Sequence, residues 1–460
     1  MQSTARRLVP PYGATYDGSV DLGALRAAHR PRYLERTRKA VDGNTAAAIP
    51  FLQWWRAAIL AGFPITPATK WLEHLAAEVA AGPSPGKRVK LLESEHAVAD
   101  YLAGVASACR GLVVGTATSS VGLDHMTESI RSLGASGLGN VMVVDVCRAT
   151  ANYPLCIEGD PSDLLAHRDD GFIQVACRGV QQIYDTVLQL PAIGMDPRVL
   201  TPTMPSYYGI KDSHRSGVLV VEPDREVNDF LDDALRAAEG ASPVVEDFLA
   251  TEGAAHPTPP GLLDGDTALG SCATSDWFQG FKLAQKQRLA AVHQVMGEVA
   301  DSFEARFGRP GLRPLELIGF ADAPEIALVC MGPDAGTAIH LLGRIREELG
   351  VRAGVIAIRL LTPFPSAALA AALERVAAVG VINNAHHYGR GHLTLDVEDA
   401  MAGRPTPVEA FFCGLGGADV STSTWLAIAR TTAEAAARGR AGRRWRMVHE
   451  GLEIGGEDLR

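Results

Sequence analysis

No apolar run in this chain reaches the ~18–20 residues that a membrane-crossing helix needs. Its cysteines nowhere form a C-x-x-C pair, which argues against a self-contained iron–sulfur or zinc site. The seven of them, Cys109, Cys147, Cys156, Cys177, Cys272, Cys330 and Cys413, are odd in number and scattered, so a disulfide framework is not expected either. Most lie in apolar runs such as Leu328-Val329-Cys330 and read as small buried residues. Positive charge is in short supply: 43 Lys and Arg face 53 Asp and Glu, a net charge of -10, which weighs against nucleic acid as a partner. Two basic stretches, 26–38 and 438–446, read as solvated terminal segments. The first 38 residues carry Arg6 and Arg7 but no apolar h-region, so they do not read as a secretory signal, and a cytoplasmic protein is expected.

What the chain does have is length and alternation. Its 460 residues, 47% apolar and 21% charged, suffice for two or three domains with cores of their own. Residues 1–40 are rich in Arg and Pro and read as an arm that packs on something else. From Asp42 onward helical and strand-like stretches alternate. Helices are expected at 45–61 (interrupted near Pro50) and 71–81, and strands at 89–92, 112–116 and 140–146. The theme continues with strands at 171–175, 198–204 and 217–221 and a helix at 181–190. This is the pattern of βαβ units around a parallel sheet, hence an α/β fold, with a first domain at 41–239. A Gly- and Pro-rich stretch at 240–276 and a long helix at 282–307 form a connector, 240–319. A smaller α/β domain follows at 320–425, with strands at 326–330, 355–358 and 379–382 and helices at 336–349 and 367–376; 426–460 is a tail.

Within this frame three polar elements stand at the ends of apolar runs. Ser94-Glu95-His96 lies where a strand meets a helix, Thr116-Ala117-Thr118-Ser119-Ser120 is a hydroxyl-bearing turn, and Arg148 follows Val141-Met142-Val143-Val144-Asp145-Val146. Alone, Glu95 reads as an acid complementing a helix dipole. Together the three look like parts of one site.

The ordered set carries a resemblance. Gly43-Asn44-Thr45-Ala46-Ala47-Ala48, Pro64-Ile65-Thr66-Pro67, Glu93-Ser94-Glu95, Thr116 to Leu123 and Arg148-Ala149 are followed by Asp160-Pro161-Ser162-Asp163, by 168–174 and by Met331-Gly332-Pro333-Asp334-Ala335-Gly336-Thr337. From about 40 to 425 the chain resembles the α subunit of the 2-oxoacid:ferredoxin oxidoreductases, thiamine-diphosphate enzymes that include pyruvate:ferredoxin oxidoreductase. The resemblance implies a pyrimidine-type thiamine-diphosphate-binding parallel-sheet domain followed by a transketolase C-terminal-like α/β domain. It implies CoA-dependent oxidative decarboxylation of a 2-oxo acid to acyl-CoA and CO₂, with electrons passed through clusters to ferredoxin. By the same resemblance Glu95 hydrogen-bonds N1′ of the aminopyrimidine, where a carboxyl shielded from water can exchange a proton near neutral pH. Arg148 pairs with the substrate carboxylate, a match of a planar fork to a planar anion. Thr66 contacts substrate, Pro64 reaches the cofactor, and Thr118 and Ser119 line the cleft or cap a helix.

Three departures bear on specificity. Val121 replaces the family's common Gln, Cys147 replaces the Asn before Arg-Ala, and 150–154 departs from the usual small, Pro-containing sequence. Pyruvate is therefore one option beside branched-chain, aryl and 2-oxoglutarate substrates. A Gly-Asp-Gly…Asn element for Mg²⁺ and the diphosphate is missing; Asp264-Gly265-Asp266 lies in the connector and does not follow a strand. The expectation is half a site. A β subunit would bring the diphosphate half, Mg²⁺ and a [4Fe–4S] cluster, with γ and δ (ferredoxin-like) subunits, CoA and ferredoxin as further partners. A non-oxidative carboligase or decarboxylase half and a non-catalytic assembly subunit are the alternatives. Three other strings are set aside: Gly137-Leu138-Gly139 precedes a strand, Gly414 to Asp419 resembles the family's end-of-domain turn, and His386-His387 with His392 reads as a polar loop.

Overall fold

β-branched runs that are apolar on both faces can only be satisfied inside a sheet covered on both sides, and the chain builds two such sheets. The computed structural model describes residues 22–82, 87–150, 155–239, 275–449 and 452–455. The first sheet runs, edge to edge, Leu360–Thr362, Ile173–Ala176, Thr203–Tyr208, Val141–Cys147, Val114–Thr118, Ile59–Gly62 and Arg88–Leu91. All its pairings are parallel except that of Leu360–Thr362. The second runs Leu452–Gly455, Arg446–His449, Val408–Phe412, Ala378–Asn383, Ile326–Met331, Ala353–Ile358 and Leu315–Ile318, antiparallel only at its two edges. Asp42, Ser94 and Ser421 each accept a backbone N–H from the first turn of the helix they precede, which fixes where Gly43–Gln53, Glu95–Ala108 and Thr422–Arg438 begin.

The expected α/β class holds, with several local differences. The helix expected over 45–61 ends at Gln53, and Ile59–Gly62 is a strand. Three of its four residues are buried, so it shows no polar alternation, and its alanines read as helical. The strand expected at 198–204 begins at Thr203, because the Asp196 carboxylate takes the Arg198 N–H (2.9 Å) and holds 196–201 in a turn. Gly217–Val221 is a strand, but outside the parallel sheet: it pairs antiparallel with Thr37–Val41. The end of the presumed arm therefore packs on its own chain.

Most arginines of the two basic stretches are exposed, as expected, but several are anchored on buried acids, one of which also takes Arg309 from outside the stretches. Arg36 and Arg309 pair with the buried Glu222, and Arg438 and Arg446 pair with the fully buried Glu409, because a buried carboxylate must be compensated. Helix Thr422–Arg438 buries Trp425, and two strands follow it, so the presumed tail completes the second sheet.

The chain passes between the two sheets several times, most directly at Arg359. After Ala353–Ile358 the chain leaves the second sheet, and Leu360–Thr362 pairs with Ile173–Ala176 of the first. Arg359, at the crossing, is buried and donates to Ala176 O (2.7 Å), Thr186 Oγ1 (2.8 Å) and Glu316 Oε1 (2.9 Å). A single apolar cluster runs from Leu102 and Val143 to Val329 and Ile358, across both sheets. Arg359→Met, which strips three hydrogen bonds while keeping volume, is expected to lower the unfolding free energy by about 2–3 kcal/mol. Urea denaturation measures this; an unchanged midpoint would mean that the crossing is held by apolar packing alone.

Candidate active site

Four neighbouring strands, Val141–Cys147, Val114–Thr118, Ile59–Gly62 and Arg88–Leu91, are parallel, so their C-terminal ends lie along one edge. The segments that leave those ends carry Arg148, Ser119, the 63–68 turn and Glu95 in that order. After Ile59–Gly62 the chain moves outward to Arg88–Leu91, then returns past it to Val114–Thr118. The order thus reverses between two adjacent strands, and in open parallel sheets a crevice forms at such a reversal. Helix Thr69–Ala81 lies on one face, burying Trp71 and Leu75, and Glu95–Ala108 lies on the other, burying Val98 and Leu102.

Glu95 is the first helical residue after the Ser94 cap and is buried at 6% exposure. A Cβ added at Gly122 would stand 2.5 Å from Thr118 Oγ1, 3.0 Å from Ile65 Cδ1 and 3.1 Å from Glu95 Oε1. Three separate segments therefore meet over that glycine, and only the missing side chain lets them approach. His125 Nδ1 lies 3.5 Å from the other Glu95 oxygen and is exposed to solvent. The hydroxyls of Thr116, Thr118 and Ser119 are buried and have no hydrogen-bond partner among the described residues. The capping role considered for Thr118 and Ser119 is not what they do: Ser120, not either of them, precedes helix Val121–His125, and no side chain caps it.

Arg148 follows the central strand and is buried at 6% exposure. One guanidinium nitrogen donates to the Thr66 carbonyl (2.9 Å), Nε has no partner, and no carboxylate pairs with the guanidinium among the described residues. Burial lowers its pKa. Thr66 and Pro64 are exposed on the adjoining turn. The nearby acid, Asp163, is engaged elsewhere: Oδ2 accepts the backbone N–H of Arg148 (2.8 Å) and of Ser120 (2.9 Å), and Oδ1 that of Leu164 (2.8 Å). Asp163 and Gly122 lie in the motif stretches yet drew no role from sequence. Nothing in a linear string shows that a carboxylate 43 residues away will anchor Ser120, although Ser120 itself holds the uncommon φ of 45°.

The turn Gly414 to Asp419 docks on this region. Gly416 N donates to Asp160 Oδ2 (2.7 Å), while Asp160 Oδ1 accepts from Ser162 and Ser162 Oγ from Thr150 N. Cys147, Cys177, Cys330 and Cys413 are buried and Cys109 and Cys156 partly so; Cys272 and Asp264-Gly265-Asp266 lie outside the described residues. The rings of His387 and His392 meet edge to face with centroids 4.6 Å apart, and burial lowers His392 to a pKa of about 4. A cavity of about 610 Å³ opens elsewhere, beside Arg32, Tyr33, Lys39 and His74, and none of the strand-end residues lines it.

Comparison with known proteins identifies the family. Residues 55–260 match the family described as pyruvate flavodoxin/ferredoxin oxidoreductase, thiamine diphosphate-binding, and 324–424 match the pyruvate:ferredoxin oxidoreductase core domain II. The chain is 31% identical to the pyruvate synthase subunit PorA of Thermotoga maritima over 389 residues, covering 83% of this chain and 91% of that one. It is 29% identical to the ketoisovalerate oxidoreductase subunit VorA of Pyrococcus horikoshii over 397 residues, 85% and 93% of the two chains. Among solved structures, a 2-oxoglutarate:ferredoxin oxidoreductase from Magnetococcus marinus superposes with a TM-score of 0.61 at 17% identity, covering 87% of this chain and 65% of that one. That likeness is one of fold. No helix among the described residues is long and apolar enough to cross a membrane.

Beside the cleft, His167 sits between Asp170 (2.6 Å from Nδ1) and Asp124 (3.1 Å from Nε2), tying helix Val121–His125 to the 167–170 turn. Burial alone would lower its pKa, but hydrogen bonds to Asp124 and Asp170 and their charges raise it to about 9. A folded-state pKa above the unfolded ~6.5 means that the imidazolium stabilises fully below pH ~6.5 and that this contribution is lost as pH rises through about 9. The Tm advantage of wild type over His167→Gln should therefore be largest below pH ~6.5 and fade through about 9; a pH-independent difference would show that His167 is not charged there.

Proposed function

Since the chain belongs to the 2-oxoacid:ferredoxin oxidoreductase family, as a subunit of the PorA and VorA kind, we propose that it is the α subunit of such an enzyme and supplies the pyrimidine half of its thiamine-diphosphate site. The reaction is CoA-dependent oxidative decarboxylation of a 2-oxo acid. The observation that carries this reading is Arg148: a buried guanidinium without a carboxylate partner, at the mouth of a cleft that also holds a buried carboxyl. A buried charge left uncompensated is costly, so the site is built for an anion that arrives from outside.

The residues fit the cofactor. Three orphaned buried hydroxyls, at Thr116, Thr118 and Ser119, await polar partners, and Glu95 stands beside two of the residues that meet at Gly122. When bound, thiamine diphosphate supplies the electron sink for loss of CO₂. Glu95 would hold a proton at the pyrimidine N1′, with His125 between its carboxyl and solvent. Arg148 would grip the substrate carboxylate through the fork that Thr66 O leaves free. Thr66 and Pro64, exposed on the same turn, would face substrate and cofactor. Thr118 and Ser119 would receive the ring's polar edge.

The remainder of the proposal concerns partners. The chain would work with a β subunit that brings the diphosphate half, Mg²⁺ and a [4Fe–4S] cluster. Further γ and δ subunits, and ferredoxin in the cytoplasm, would complete the electron path. The pyrimidine-type reading of 41–239 and the transketolase C-terminal-like reading of 320–425 belong to the same proposal.

In the assembled enzyme Glu95→Gln is expected to remove ~10²–10⁴-fold of the 2-oxoacid- and CoA-dependent reduction of a viologen dye, the scale of proton-transfer catalysis. Full activity would remove Glu95 from N1′. Arg148→Ala should chiefly raise the KM for the 2-oxo acid, and unchanged KM and kcat would take Arg148 out of the pocket. Purified alone, the chain should show no visible iron–sulfur absorbance, and a brown monomer would contradict the half-site.

A further inference from the structure

Beneath the cleft lies a second acidic group that the proposed chemistry does not use. Asp145 and Cys147 project from the same face of the central strand, and Asp163 stands over them; one side-chain atom from each lies within 4.8 Å of the others. All three are buried, Asp145 and Asp163 at 0% exposure. The Cys147 thiol donates to Asp145 Oδ2 (3.2 Å), and Asp145 Oδ1 has no partner. Asp163, by contrast, accepts from three N–H groups, those of Ser120, Arg148 and Leu164, and also faces the Asp145 carboxyl.

Two carboxylates this close and this dry cannot both be ionised. The three N–H donors decide which keeps the charge, because they stabilise an anion and give an acid proton nowhere to point. The titratable groups around the pair do not overturn this: His167 acts on Asp145, the Arg148 guanidinium interacts with Asp163, and Asp160 is a further acid beside Asp163. The direction of titration agrees. Burial and then Asp163 push Asp145 well above the usual carboxylate range, while burial raises Asp163 to about 6 against the pull of its N–H donors.

We propose that Asp145 and Asp163 share one proton, carried by Asp145, and that the ionised Asp163 is the positioning residue that fixes the backbones of Ser120 and Arg148 at the cleft. Ser120 adopts its positive φ with its N–H turned onto Asp163. The same oxygen holds the Arg148 N–H and so sets where the guanidinium emerges beside Thr66. The inference rests on the reading of Arg148 as the group that binds the substrate carboxylate.

The test uses the assembled enzyme. Asp163→Asn removes the charge and keeps only one acceptor oxygen, so its NH2 must meet either the Leu164 N–H or the Ser120 and Arg148 N–H pair and shift the segment, whereas Asp145→Asn keeps a neutral donor beside Asp163. Misplacing a binding group by about an ångström costs up to ~10²-fold, so Asp163→Asn should raise the KM for the 2-oxo acid about tenfold or more, with a smaller change in kcat. Asp145→Asn should raise it at least several-fold less. Equal effects of the two variants, or a larger effect of Asp145→Asn, would overturn the assignment of the proton. If Arg148→Ala raises KM and Asp163→Asn does not, the positioning role falls while the substrate reading stands; if neither does, both fall. Should Asp163→Asn fail to assemble, infrared spectra of the wild-type complex decide. A protonated-carboxyl C=O band that disappears in Asp145→Asn supports the shared proton, and its absence from the wild type refutes it.

Discussion

A single carboxylate, that of Asp163, binds backbone N–H groups from the turn after one strand, the end of the next and the start of its own helix. Those three pieces are far apart in sequence, and without a shared acceptor each would leave a donor buried and unpaired, at about 1–3 kcal/mol apiece. The cleft depends on this anchor. It fixes Ser120 at a backbone angle that most residues avoid, and it engages an acid that stands close to Arg148. Asp163 accepts backbone N–H groups and forms no ion pair with the guanidinium, though its charge favours the ionised Arg148.

The sheet supplies the rest. Parallel strands bring their C-terminal ends to one edge whatever the intervening helices contain, and the reversal between Ile59–Gly62 and Val114–Thr118 opens that edge into a crevice. Helix Glu95–Ala108 starts at this crevice, so its first residue is delivered there by topology. The second sheet is not a bystander: its Gly414 to Asp419 turn holds Asp160, and Asp160 steadies Ser162 in the segment that bears Asp163.

Much of this was legible in the order of residues. The strand–helix alternation, the placement of Glu95 at a junction and of Arg148 after a buried run, and the family resemblance all follow from local pattern. What stayed hidden was of two kinds. Short elements such as Ile59–Gly62 and Leu360–Thr362 carry too few residues for any period to show, and burial on both faces erases alternation in the first. Long-range partners are invisible in principle: Asp163 under Ser120, Glu222 and Glu409 anchoring arginines of the basic stretches, and Thr37–Val41 pairing with Gly217–Val221. Glu95 was found because a family pattern singled it out, and Asp163 was passed over because its role lies wholly in what it touches.

The central claim is that Glu95 faces a cofactor held largely by another chain. A structure of the assembled enzyme with thiamine diphosphate bound measures it most directly. The account predicts a Glu95 carboxylate oxygen within hydrogen-bonding distance of N1′, about 2.6–3.2 Å, with the diphosphate on the partner subunit. A Glu95 carboxyl well outside that range, or another acid at N1′, would contradict it.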